Sequence, residues 1–226
     1  MAPSICALVS ELSYNDELRD AAGVSSRGLC LGGKSIIMIN LHFGHAEAVD
    51  NSKRNVEEAR VVKDVYDQLK RRQDHLGLPP SEDDFASRLG IVSPFRAHNR
   101  SVLAQLQGIE EADVAMHDYT TTSSAKQLPD GGDGTPCVGT AHQFQGSERD
   151  VIIMSACHLS SFSGDLRLLN VKLSRAKHLL VIVGRLEEFS HRSIPWRTIW
   201  GHSAACHVVD ASSFAAAKQK LAQLLS

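Results

Sequence analysis

Two polar segments carry the residue types that chemistry needs. One runs Val138-Gly-Thr-Ala-His-Gln-Phe-Gln-Gly-Ser-Glu-Arg-Asp150 into the apolar VIIMSAC; the other runs Leu168-Leu-Asn-Val-Lys-Leu-Ser-Arg-Ala-Lys177 into HLLVIVG. In the first, Gly146 lets the backbone come close to a ligand because no Cβ stands in the way. Gln145 and Glu148 add acceptors suited to a ribose or an ordered water, and Thr140 and His142 follow an apolar run that reads as a strand. Ligands of open α/β sheets bind beyond the C-terminal ends of strands, which places Thr140 near one. In the second, Lys172, Arg175 and Lys177 lie on a helical stretch leading into a buried strand. A guanidinium fixed there suits phosphate, being planar, fork-shaped and always charged. Each residue also has an ordinary reading. Arg175 could be half of a surface ion pair, Glu148 and Arg149 a solvated turn pair, and His142 a hydrogen-bonded structural histidine. The run Lys70-Arg71-Arg72 suits a helix C-terminus without any ligand.

Such residues need elements to hold them. Apolar runs predict strands over 35–43, 89–93, 138–141, 150–157 and 178–184, with a possible last strand over 206–210. Helical spacing of apolar residues predicts helices over 5–14, 55–72, 96–107, 167–177 and 213–225, while 73–84 and 120–135 read as loops. Continuous apolar strands are buried on both faces, as parallel sheets require. Strands alternating with helices predict an α/β fold with a doubly wound, mainly parallel sheet, and one domain over 1–226.

Composition narrows the classes. The 226 residues are 42% hydrophobic and 22% charged, as in ordinary globular proteins. No run of about 18 apolar residues exists to span a membrane, and the first residues lack the pattern of a signal peptide. The formal net charge of −2 means that any nucleic acid would be met by a local basic face or by backbone groups. Cys6, Cys30, Cys137, Cys157 and Cys206 are scattered and form no C-x-x-C pair, which argues against a zinc site or disulfide framework. That usage fits a reducing compartment, hence an intracellular protein of cytoplasm or nucleus.

One motif is a decoy. Gly28-Leu-Cys-Leu-Gly-Gly-Lys34-Ser35 fits the written pattern of a P-loop. A working P-loop leaves a strand and opens a helix, whose N-terminus cradles phosphate. Here SIIMINL follows Lys34 and reads as a strand, so the pattern is expected to be a loop before a strand.

The two polar segments resemble motifs V and VI of superfamily 1B helicases, the group that includes the nonsense-mediated-decay helicase and senataxin. The family shows V-x-T-x-x-x-F-Q-G-x-E-x-D, then R-x-L-N-V-A-L-[TS]-R-A-K, and the chain matches both in order, with Lys172 at a usual Ala. Ile91-Val-Ser-Pro-Phe-Arg96 resembles motif IVa, with His98 or Asn99 where the family often has Gln. Asn55-Val-Glu-Glu58-Ala59 resembles the N-x-x-E-A helix start, and Ser4 to Asp20 the helix after the family's Q-Y-R-M-H segment.

The resemblance implies a RecA-like P-loop NTPase fold in the role of a second motor domain, without a functional P-loop. It implies that Arg175 is an arginine finger reaching the γ-phosphate of ATP across a cleft. Gly146 would lie near that phosphate, and Glu148, with Gln145 beside it, would meet the ribose or couple nucleotide to track. Ser93, Pro94 and Thr140, with Arg96, would contact the backbone of single-stranded RNA or DNA; Arg96 could instead cap or solvate its helix. ATP and Mg²⁺ would be shared with an N-terminal RecA-like domain carrying motifs I to III, which have no counterpart here. The chain is then expected to be the C-terminal half of an ATP-dependent helicase, inactive alone, and a fragment or a truncated gene product. Two other classes remain: a non-enzymatic nucleic-acid or protein-binding module that keeps the fold, and a self-sufficient NTPase using Lys34.

Overall fold

The computed structural model describes residues 1–19, 30–114 and 134–226. In chain order the elements are α1 (Pro3–Ser13), β1 (Ile36–Leu41), β2 (Glu47–Val49), β3 (Ser52–Arg54), α2 (Val56–Arg71), α3 (Phe85–Arg88), β4 (Leu89–Val92) and α4 (Arg96–Gln107). There follow β5 (Cys137–Gly139), β6 (Arg149–Ser155), α5 (Leu166–Ser174), β7 (Ala176–Gly184), α6 (Leu186–Arg192), α7 (Ile194–Gly201), β8 (His207–Ala211) and α8 (Phe214–Leu224). Six strands form one sheet in the order β5-β4-β6-β7-β1-β8, every pair parallel, and β2 and β3 form a separate antiparallel hairpin.

The period of two along each strand explains the layering. Ile37, Ile39, Val151, Ile153, Leu179 and Val181 point to one face, where they meet Val62, Val65 and Leu69 of α2, Val102 of α4 and Leu221 of α8. Ile36, Met38, Ile152, Met154, Leu180 and Ile182 point to the other, against Ile5 and Leu8 of α1, Leu169 and Leu173 of α5, Phe189 of α6 and Trp196 of α7. Helices on both faces of a parallel sheet make this a RecA-like α/β fold. No helix among the described residues is long and apolar enough to cross a membrane.

Local chemistry sets the ends of several elements. Asn55 caps α2 by accepting from the Glu58 N–H, and Asp165 caps α5 by accepting from the N–H groups of Arg167 and Leu168. Gly90 is required by packing. A Cβ there would stand 2.6 Å from Cε1 of Phe144, whose ring is fully buried against β4.

The helix expected over 167–177 ends instead at Ser174, and Ala176 and Lys177 open β7. The cause is sheet pairing: the Arg149 N–H donates to the Arg175 carbonyl (3.0 Å), and Arg149 pairs with Ala176. The hairpin, α3, α6 and α7 had no signal in the sequence. The hairpin is polar and partly exposed, so it lacks an apolar stripe, and the helices are short. A strand, not a helix, follows Lys34, whose Nζ donates to the Cys206 carbonyl (3.3 Å) at the entry of β1. Gly28 and Leu29 of that pattern, and most of the loop expected over 120–135, lie outside the described residues.

Candidate nucleotide and nucleic-acid interfaces at opposite edges of the sheet

The site residues expected from the sequence fall into two groups, separated by the length of the strands. At the N-terminal edge of β6 and β7 lie Gln145, Gly146, Glu148 and Arg175. At the C-terminal edge of β4 and β5 lie Ser93, Pro94, Arg96 and Thr140.

The first group is held by the turn that enters β6. Phe144 anchors the turn in the core, and Gln145 and Gly146 then emerge into solvent. Gly146 takes a left-handed φ of +83° with open space where a Cβ would stand. Arg149 ties the turn by donating to the Ser147 hydroxyl (3.1 Å) and to the Glu148 carbonyl (3.0 Å). Its guanidinium therefore bonds the backbone of Glu148, and among the described residues the two side chains form no ion pair. Glu148 is exposed. The Arg149–Arg175 backbone bond sets this turn beside the end of α5. There Arg175 is half-buried: Nε donates to the Val171 carbonyl (3.2 Å) and an Nη to the Ser174 hydroxyl (3.0 Å). These bonds fix the guanidinium over the negative end of α5. Among the described residues no carboxylate pairs with it.

At the opposite edge, Ser93 is fully buried and Pro94 is buried. The Ser93 N–H donates to the Gly139 carbonyl (3.0 Å) and its hydroxyl accepts from the Phe95 N–H (3.4 Å), so Ser93 shapes the turn out of β4. Thr140 is half-buried, and its N–H and hydroxyl both donate to Oε1 of Gln143 (2.8 and 3.1 Å). Arg96 is exposed and opens α4. A cation there opposes the helix dipole, so helix stability does not explain it; it stands beside the N-terminal N–H groups of α4, where an anion would be favoured. His98 and Asn99 are fully buried and face the interior.

His98 belongs to a buried network under this edge. The Asn55 N–H donates to its Nδ1 (3.2 Å), which leaves the proton of a neutral ring on Nε2, facing the Ser155 hydroxyl (2.7 Å). Ser155 in turn donates to Oε1 of Glu58 (2.6 Å), which also accepts from the Cys157 N–H (2.8 Å). Burial holds His98 neutral, its pKa lowered to about 3, and pushes Glu58 up to about 7 against those hydrogen bonds. The N-x-x-E spacing is that of a capping box, but His98 takes the reciprocal role and frees Glu58 to bind β6. That spacing was visible in the sequence; its long-range use was not. Beside the network, Phe95, His158, Phe162 and His142 form a chain of ring contacts with centroids 6.2 to 6.4 Å apart. Sequence reasoning passed over Phe95, His158 and Phe162 as site residues, because they come from different loops with no common spacing. Among the described residues no group of three His, Cys, Asp or Glu is placed to hold a metal ion.

A six-stranded parallel sheet wrapped by helices, with an arginine fixed at one edge and a basic corner at the other, defines the class as RecA-like α/β. A family model described as an AAA domain matches residues 1–187, and the chain belongs to that family. It is 28% identical to the helicase mov-10-B.1 of Danio rerio over 80% of this chain and 18% of that protein. It is 26% identical to helicase sen1 of Schizosaccharomyces pombe over 83% of this chain and 10% of that protein. It is 28% identical to the ATP-dependent helicase NAM7 of Saccharomyces cerevisiae over 51% of this chain and 10% of that protein. The chain is thus a member of the superfamily 1B helicase-like group of the nonsense-mediated-decay and senataxin type, and it spans under a fifth of the length of these relatives.

Proposed function

We propose that this chain is the C-terminal half of a two-domain ATP-dependent motor that moves on single-stranded nucleic acid. Its lower edge, the N-terminal edge of β6 and β7, closes on ATP–Mg²⁺ held by an N-terminal RecA-like domain, and its upper edge, the C-terminal edge of β4 and β5, touches the strand. The observation that carries this reading is Arg175: fixed by its own helix end, beside the open Gly146 turn, and paired with no carboxylate among the described residues. A half-buried guanidinium left without a counter-charge is suited to an arriving phosphate. In this role Arg175 stabilises charge on the γ-phosphoryl oxygens as they develop it. Glu148 and Gln145, exposed on the same turn, serve as acceptors for a ribose. Arg96 and Thr140 hold the strand by its backbone, while buried Ser93 and Pro94 shape the turn that presents them. Alone the chain carries too few phosphate ligands to turn over nucleotide.

The test is phosphate release from ATP with and without single-stranded RNA or DNA. We expect no turnover by the chain alone, and turnover once an N-terminal RecA-like domain of the same group is joined to it. Turnover by the chain alone that disappears in Lys34→Ala would sink the reading.

A further inference from the structure

We propose that Phe95 and Phe162, flanked by His142 and His158, form a base-stacking shelf, so that a single strand is held on this chain by its bases as well as its phosphates. The inference rests on reading the upper edge as a strand track. Three loops that leave the C-terminal ends of β4, β5 and β6 bring these four rings together. Phe162 is 40% exposed and belongs to neither core cluster, so its ring is free to meet a ligand on one face. Phe95 and Phe162 line a cleft of about 840 Å³ whose far wall is the β2–β3 hairpin at Asp50, Asn51 and Ser52.

The surrounding charge selects the occupant. Arg96 and Arg100 line the same cleft, and burial lowers the His158 pKa, with the positive charges of Lys53 and Arg192 adding to it. Of the other charges in the cleft, Arg54 is a single cation between two carboxylates, Glu111 and Glu47 (2.8 and 2.6 Å), and Asp50 sits at the hairpin tip, so the hairpin wall is acidic and the cations lie on the α4 side. A cleft with exposed aromatic faces and cations at its mouth suits an unpaired base whose phosphate meets Arg96. Stacking tolerates any base, because every base has a π-face, so the shelf should read no sequence. It also answers the charge problem: a protein of net charge −2 gains affinity from contacts that do not depend on a basic surface.

Two short dye-labelled oligonucleotides with the same number of phosphates test this on the full chain, one of thymidines and one wholly abasic. The thymidine strand should bind more tightly, by on the order of tenfold. Phe162→Ala and Phe162→Leu should both erase that advantage, and Phe162→Tyr should keep it; a merely structural role would be met by leucine. The slope of log affinity against log salt should stay unchanged in the Phe162 variants and fall by about 0.7 in Arg96→Ala. Equal binding of the two strands, with the Arg96→Ala slope change present, would overturn the shelf and leave the track reading standing. Binding of neither strand would overturn the track reading and the shelf with it.

Discussion

Arg175 shows how one residue can be held in place by what surrounds it. Its bonds to Val171 and Ser174 fix the plane of the guanidinium and leave it without a carboxylate partner among the described residues. A lysine would keep the charge but lose the fork. In the joined two-domain protein, Arg175→Ala is therefore expected to lower kcat by about 10³-fold, and Arg175→Lys to recover little of it, as measured by phosphate release. Lys34→Ala should leave turnover unchanged, because Lys34 sits at the entry of β1 and bonds Cys206. Gly146 and Glu148 stood out as candidates because they share one ordered polar segment, and Arg175 because it sits in a second. Phe162 did not: an aromatic in a polar loop looks like any surface residue until the loops after β4 and β5 are brought beside it. Ser93 was legible as a member of the motif, but its burial was not, since a serine between apolar and polar stretches fits either side.

Between elements, packing decides what the sequence pattern leaves open. Phe144 crosses from the β5–β6 turn onto β4 and occupies the space that a side chain at Gly90 would need. The turn that presents Gln145, Gly146 and Glu148 thus depends on a glycine far away in sequence. Gly90→Ala should destabilise the fold by about 1–3 kcal/mol, read from urea unfolding. Adding Phe144→Leu should recover part of that loss; no recovery would show that Ile152, 3.0 Å from the same position, dominates the clash. The helix over 96–107 was legible to the residue, because its apolar stripe is regular. The end of α5 was not. Helical propensity runs on through Ala176 and Lys177, but the Arg149 backbone captures Arg175 and starts β7 early. Only the partner strand could settle that boundary.

Over the whole molecule, α2, α4 and β6 are joined beneath the upper edge by His98, Ser155 and Glu58. The two titratable members oppose each other with pH. Glu58, raised to about 7, contributes stability that is full below its unfolded value of 4.5 and is lost as pH rises through about 7. His98, lowered to about 3, contributes stability present above its unfolded value of 6.5 and lost as pH falls toward 3. Glu58→Gln removes only the first contribution. The melting temperature of wild type relative to Glu58→Gln should therefore fall between about pH 5 and pH 8, and a constant difference would show that Glu58 does not titrate in that range.

The sequence by itself determined the fold class and the order of the sheet strands and the longer helices, because burial on two faces writes continuous apolar runs and helices write a period near 3.6. It also determined the family, because motif spacing along the chain is a local property. The tertiary structure decided what is non-local. Parallel strand direction and register put the Gly146–Arg175 group and the Thr140–Arg96 group at opposite edges of one sheet. Loops from three strands assembled the ring cluster, and Glu58 found its partners 97 and 99 residues away. Such contacts carry no fixed spacing in sequence, so only the folded chain can bring them together.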